Sequence, residues 1–191
     1  FLLEISPDPT ARPGLVFYVQ NPDAVCACLE PWSRFYKTSD GYFFGTPAGV
    51  RVVLRAGTPP LRFEPSDEGF GLTGNFAGVS IETTEMERSQ AVWSCLGYRV
   101  AAGNPADGWL SLSNGSGVDI SLMSPGACPH LFANPSLTFF NGKEKNPRLI
   151  RAIRQAGVPI AEEVTVFNPA GEVDNLVLRD PGGLGFFVFN D

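Results

Sequence analysis

The sequence predicts an α+β fold built from a βαβββ module that recurs along the chain. Three observations predict it. Three successive stretches share one order of elements: a strand, a helix, then three strands. Asn-Pro stands at the expected start of the first and third helices, as Asn21-Pro22 and Asn146-Pro147. A turn containing proline and glycine precedes the last strand of the same two units, as Thr46-Pro47-Ala48-Gly49 and Asp180-Pro181-Gly182-Gly183.

In the first unit, Gly14 to Val19 is a β-branched and aromatic run, which suits a strand. Asn21 is placed to cap a helix with Pro22 in its first turn, where a missing N–H costs nothing. Val25, Cys28 and Leu29 fall on one face of that helix. Strands are expected near 34–38, 41–45 and 50–55, split by Ser39-Asp40-Gly41 and Pro47-Ala48-Gly49.

The second unit opens with a strand at 78–82. Thr84 and Glu87 form a capping box for its helix, Ala91, Val92, Cys95 and Leu96 supply the apolar positions, and Gly97 ends it. Strands are expected near 98–102, 109–113 and 118–123. The third unit opens with a strand at 136–140. Its helix is expected to start at Asn146-Pro147, turn Leu149, Ile150 and Ile153 inward and stop at Gly157. Strands near 164–168, 176–179 and 185–189 complete it.

The opening tract, Phe1-Leu2-Leu3-Glu4-Ile5-Ser6-Pro7, matches Asp119-Ile120-Ser121-Leu122-Met123-Ser124-Pro125 at the end of the middle unit. Residues 1–57 therefore read as the second half of a module pair whose first half lies before Phe1. Residues 77–191 read as a complete two-module domain, and the Pro- and Gly-rich stretch 58–76 reads as the linker.

Composition narrows the function. With 43% hydrophobic and 18% charged residues, the chain can bury a substantial core. A net charge of −6 argues against nucleic acid, whose phosphates call for a basic stripe. There is no apolar run of about 18 residues, so no membrane-spanning helix is expected. No secretory signal is visible. Cys26 and Cys28 lie too close in one helix to pair with each other, and Cys-x-Cys with a lone His130 makes a poor zinc site. All four cysteines, Cys95 and Cys128 included, read as reduced and mostly buried, which fits the cytoplasm.

Gln155-Ala156-Gly157-Val158-Pro159-Ile160, followed by Val177-Leu178-Arg179-Asp180-Pro181-Gly182-Gly183, resembles the closing half of glyoxalase-type modules. Glu82-Thr83-Thr84-Glu85-Met86 leading to Cys95-Leu96-Gly97-Tyr98-Arg99-Val100 is similar to their opening half. The family is the vicinal oxygen chelate superfamily of glyoxalase I, bleomycin-resistance proteins and extradiol dioxygenases. The resemblance implies modules paired about a pseudo-twofold axis into a curled sheet around a cavity. In metal-dependent members, His or Glu residues on the first and last strands converge on one divalent cation.

The corresponding positions here are Gly78 and Pro135 on the first strands, with Leu122 and Phe187 on the last. None offers a carboxylate, imidazole or thiolate, so no metal or other cofactor is expected. Glu4 alone sits where a last-strand carboxylate would be, and it is a weak metal candidate whose partner positions, Gly14 and Val53, are empty. His130 reads as a surface-loop residue. Nor is there a nucleophile elbow or a phosphate loop ahead of a helix.

In the family register, Ser80 and Glu82 share the face of Gly78. Leu137 and Phe139 share that of Pro135, Phe187 lies among Gly185 and Phe189, and Trp109 joins them. Glu82, Trp109, Leu137, Phe139 and Phe187 are thus the candidate ligand-binding residues of an aromatic-rich pocket, and they serve equally well as core. The expected function is metal-independent binding of an apolar or aromatic small molecule, as in bleomycin-resistance-type proteins, without catalysis. A metal-dependent lyase, isomerase or dioxygenase with its site in the N-terminal pair is one alternative. A degenerate assembly module is the other, since an unpaired half-pair invites formation of a homodimer.

Overall fold

A computed structural model describes residues 3–8, 10–60 and 71–191. The first unit comprises β1 (Gly14–Val19), α1 (Pro22–Leu29), β2 (Phe35–Lys37), β3 (Gly41–Gly45) and β4 (Arg51–Ala56). The second comprises β5 (Phe76–Glu82), α2 (Met86–Cys95), β6 (Arg99–Asn104), β7 (Trp109–Ser113) and β8 (Asp119–Met123). The third comprises β9 (Ser136–Phe140), α3 (Gly142–Gln155), β10 (Ile160–Val164), β11 (Asn175–Arg179) and β12 (Gly185–Phe189).

Each unit has the same sheet order, in which the first strand pairs parallel with the last and the other two follow antiparallel. The first unit is a four-stranded sheet, β1-β4-β3-β2. The second and third fuse into an eight-stranded sheet because their first strands, β5 and β9, pair antiparallel. The sheets stay open. No helix among the described residues is long and apolar enough to cross a membrane. The expected linker, 58–76, falls partly on 61–70, outside the described residues. Its end is a single 3-10 turn at Gly71–Thr73 and the first residue of β5.

One face of each sheet carries the helix. The largest buried cluster joins the helix-side residues of the first unit (Leu29, Phe44, Val52, Leu54) to those of the second (Val79, Ile81, Val92, Trp93, Ile120, Leu122). Phe17 lies 6.1 Å from Trp93 and 6.3 Å from Tyr98, ring to ring, so the two units pack helix side to helix side. In the third unit, Ile150 and Ile153 of α3 cover Leu176, Leu178 and Val188.

Four local expectations change. First, Cys28 and Cys95 are joined in a disulfide that ties α1 to α2, so only Cys26 and Cys128 are free. Cys28 is exposed rather than inward, while Cys26 and Leu29 form the buried face of α1. The pairing spans 67 residues of sequence and arises only because the two units pack through their helices.

Second, Asn21 caps α1 as expected, accepting from the Ala24 N–H at 3.1 Å, but Asn146-Pro147 lies inside α3, which begins at Gly142. Asn146 is fully buried and acts as a tether. It donates to the carbonyls of Asp174 (2.6 Å) and Val188 (3.4 Å), and accepts from Asn141 at 3.0 Å. Third, Thr84 makes no capping box. Thr83 accepts from the Glu85 N–H at 3.1 Å and shares a hydrogen bond of 2.8 Å with Ser89. Fourth, the strand expected at 164–168 lies at Ile160–Val164. Val166 and Phe167 are exposed beyond it.

Candidate functional site

The face of the eight-stranded sheet opposite the helices is where pairing register brings side chains together. Gly78 stands beside Asp119 and Thr138, Ser80 beside Ser121 and Ser136, and Ser111 beside Ser121. Residues aligned in this way point to the same side of the sheet. These strands enclose a cavity of about 140 Å³ lined by Ala77, Gly78, Ser111, Asp119, Ser121, Thr138 and Phe140.

Its chemistry is mixed. Phe140 supplies an aromatic wall, Asp119 a half-buried carboxylate, and three hydroxyls the remaining polar groups. One hydroxyl is already committed, because Thr138 and Ser80 are buried and hydrogen-bonded to each other at 2.6 Å. Gly78 is required by closeness: a Cβ there would lie 2.3 Å from the carbonyl oxygen of Asp119.

The five residues singled out from sequence do not meet in one place. Leu137 and Phe139 face the opposite way. They are 2% and 0% exposed, inside the cluster that includes Val79 and Trp93 of the helix side. Thr138 pairs with Gly78 and Leu137 with Val79, which puts Thr138 and Phe140 on the open face instead. Phe187 is on the open face as expected, but it is buried under the connection that precedes β9. That connection lays His130 and Phe132 over the third unit, each ring 5.0 Å from that of Phe187, with His130 also 5.1 Å from Phe189. His130 is therefore half-buried among aromatic rings rather than free on the surface.

Trp109 is 41% exposed, its ring lying over Gly103. Glu82 lines a separate groove of about 190 Å³ with Pro47, Ala48, Thr83, Thr84 and Pro125, where the first and second units meet. Asn134 spans that junction, donating to the carbonyls of Ala48 and Glu82 at 3.0 Å each. Asp119, Ser111, Ser121, Thr138 and Phe140 were not among the sequence candidates. The alternation of Asp119-Ile120-Ser121-Leu122-Met123 contains the signal for two of them.

The superfamily's divalent cation does not fit these residues. Gly78 has no side chain, Leu122 points into the helix-side core, and its open-face neighbours are Ser121 and Met123. Among the described residues, no three His, Cys, Asp or Glu side chains come together, and Asp119 alone is no coordination sphere. Glu4 lies in an irregular, exposed segment and not on a strand. Its charge reaches Arg55, whose guanidinium is held protonated by the Tyr18 hydroxyl at 3.2 Å, by Asp40 and, more weakly, by Glu4. Arg51 and Arg55 share the open face of the first unit, where they repel a cation.

No protein-family model matches the chain, and no curated protein sequence does. Solved structures do match. A halotolerant catechol dioxygenase aligns over 91% of this chain and 66% of its own, with a TM-score of 0.51 at 12% identity. Homoprotocatechuate 2,3-dioxygenase from Arthrobacter globiformis aligns over 91% and 61%, with a TM-score of 0.51 at 14% identity. A triple mutant of 4-hydroxymandelate synthase from Streptomyces coelicolor aligns over 90% and 68%, with a TM-score of 0.52 at 12% identity. The chain thus spans about two thirds of the length of these proteins. At such identities the likeness is one of fold, and it agrees with the module order seen here: this chain has the paired βαβββ fold of the vicinal oxygen chelate superfamily.

Proposed function

We propose that the chain binds a small aromatic molecule without a metal, in the cavity between β5, β7, β8 and β9. The single observation that carries this reading is the make-up of that cavity. At about 140 Å³ it is the size of a site for one ring, since a cavity of roughly 150 Å³ accommodates benzene. Phe140 offers a ring face, and Asp119 with Ser111 and Ser121 offers partners for a hydroxyl on the ligand. The names of the structural neighbours include catechol and homoprotocatechuate, which supports a hydroxylated single ring as the ligand class.

Catechol and phenol serve as probes in thermal shift, beside Mn²⁺, Fe²⁺, Ni²⁺ and Zn²⁺ on the same preparation. A ligand at a hundred times its dissociation constant stabilises by about 2.7 kcal/mol, roughly 5–10 °C for a chain of this size. The expected result is a shift with the phenols, lost in Ser121→Phe, and none with the metals. Stoichiometric metal with a clear shift, or a phenol shift that survives Ser121→Phe, refutes this reading.

A further inference from the structure

The cavity between β5, β7, β8 and β9 holds polar groups that the fold leaves without partners. Ile120 and Leu122 of β8 are buried in the helix-side core, so the alternating Asp119 and Ser121 stand on the open face. Among the described residues, the half-buried Asp119 carboxylate joins no ion pair and accepts no hydrogen bond from a side chain. Arg99 stands on β6, beyond β7, and is exposed. Tyr98, which feels the Asp119 charge, is a phenol whose ionisation is opposed by burial first and by that charge as well, so it supplies no positive charge. The Ser111 and Ser121 hydroxyls, aligned across β7 and β8, also have no partner among the described residues. Thr138 differs, being committed to Ser80.

We infer that the ligand is a cation, a protonated arylalkylamine with one ring, a conclusion that rests on the metal-free ring site proposed above. A carboxylate only accepts hydrogen bonds, and an alkylammonium only donates them, three in all, which Asp119 and the two serine oxygens can receive. Phe140, 41% exposed, offers a ring face that attracts a cation and stacks on an aryl group. The net charge of −6 draws cations rather than anions toward the surface. One carboxylate satisfies an ammonium, whereas it leaves a divalent metal ion short of oxygen ligands. A ring bearing its own carboxylate meets Asp119 as a like charge and is rejected. A neutral phenol or alcohol still fits, with one donor. The amine brings three donors and a charge-assisted bond, about twice as strong as a neutral one.

Isothermal titration calorimetry of the whole chain at neutral pH, where an alkylamine is protonated, compares benzylamine, benzyl alcohol and benzoate, with catechol as the reference ring. Benzylamine should bind about tenfold tighter than benzyl alcohol, the difference that one charge-assisted hydrogen bond makes. Benzoate should bind more weakly than either. Added salt should weaken benzylamine and leave benzyl alcohol unmoved. Asp119→Asn should bring the ratio of the amine and alcohol affinities to about one. Glu87→Gln removes the same charge at an exposed point on α2 and should keep the wild-type ratio. Equal affinities for amine and alcohol in the wild type overturn the inference, as does benzoate binding as tightly as benzylamine, and neither result needs a variant to fold. So does a preference for the amine that survives Asp119→Asn. Catechol binding in any of these cases leaves the metal-free ring site standing, whereas failure of all four ligands removes both.

Discussion

Removing the Cys28–Cys95 bond is the perturbation whose magnitude the structure sets most directly. The bond closes a loop of 67 residues. The chain-entropy relation assigns such a loop about 4 kcal/mol, because the cross-link denies the unfolded chain most of its freedom. The folded state loses little in comparison. Cys28 is exposed and Cys95 half-buried, and the two units still share Leu29, Phe17, Val92, Trp93 and Tyr98 across their junction when the sulfurs part. The cost therefore falls on the unfolded side.

Urea unfolding of three samples isolates it: the oxidised wild type, the wild type held in dithiothreitol, and Cys28→Ser/Cys95→Ser. The reduced and double-variant samples should agree with each other and lie about 4 kcal/mol below the oxidised one. They should also show a larger m-value, since an unbridged chain exposes more surface on unfolding. Exposure of Cys28 lets the reductant act on the folded protein. If the three curves coincide, and alkylation of the untreated native protein labels Cys28 and Cys95, the reasoning fails at its first step.

Three further outcomes follow from single contacts. Asn146→Ala should destabilise by about 2–3 kcal/mol in the same assay, because it strips partners from two carbonyls and from Asn141 at a fully buried point. Gly78→Ala should cost about 1–3 kcal/mol by pushing β5 away from β8, whereas Gly45→Ala, with open space around its Cβ, should be near neutral. Burial, helped by the Glu82 carboxylate, raises the Cys128 thiol above its ordinary range, so less thiolate is present at any given pH. Its alkylation, read by site-resolved mass spectrometry, should lag behind a free cysteine near pH 8.5 and catch up only at higher pH, with Glu82→Gln recovering a smaller part of the difference.

Where one face of a strand is covered and the other open, the sequence was easy to read. The alternations of β7 and β8 locate both strands to within a residue, because Leu110, Leu112, Ile120 and Leu122 are buried while their neighbours are not. β9 shows the opposite case. Ser136 to Phe139 are all buried, so alternation carries no signal, and the pairing of Thr138 with Gly78 is what tells that Thr138 rather than Leu137 faces the cavity. β10 misleads in a third way. Its edge position lets Glu162 and Glu163 occupy the strand, Glu163 held by Arg154 at 2.6 Å, while the more apolar Val166-Phe167 lies outside it. The disulfide was invisible for a simpler reason, since it depends on how two units dock.

One topology used three times has been given three different open faces, and this difference locates function better than any single motif. The third unit covers its own face with His130 and Phe132 from the preceding connection, so Phe187 cannot meet a ligand without moving them. The first unit leaves its face open and basic, with Arg51 and Arg55 beside Tyr18. The second unit, with the rim of β9, combines an open face, small side chains and a carboxylate in one space. That space is the one the proposed ligand would occupy. Gly78, Ser111 and Ser121 keep that space open, because none of them puts more than two side-chain heavy atoms into it.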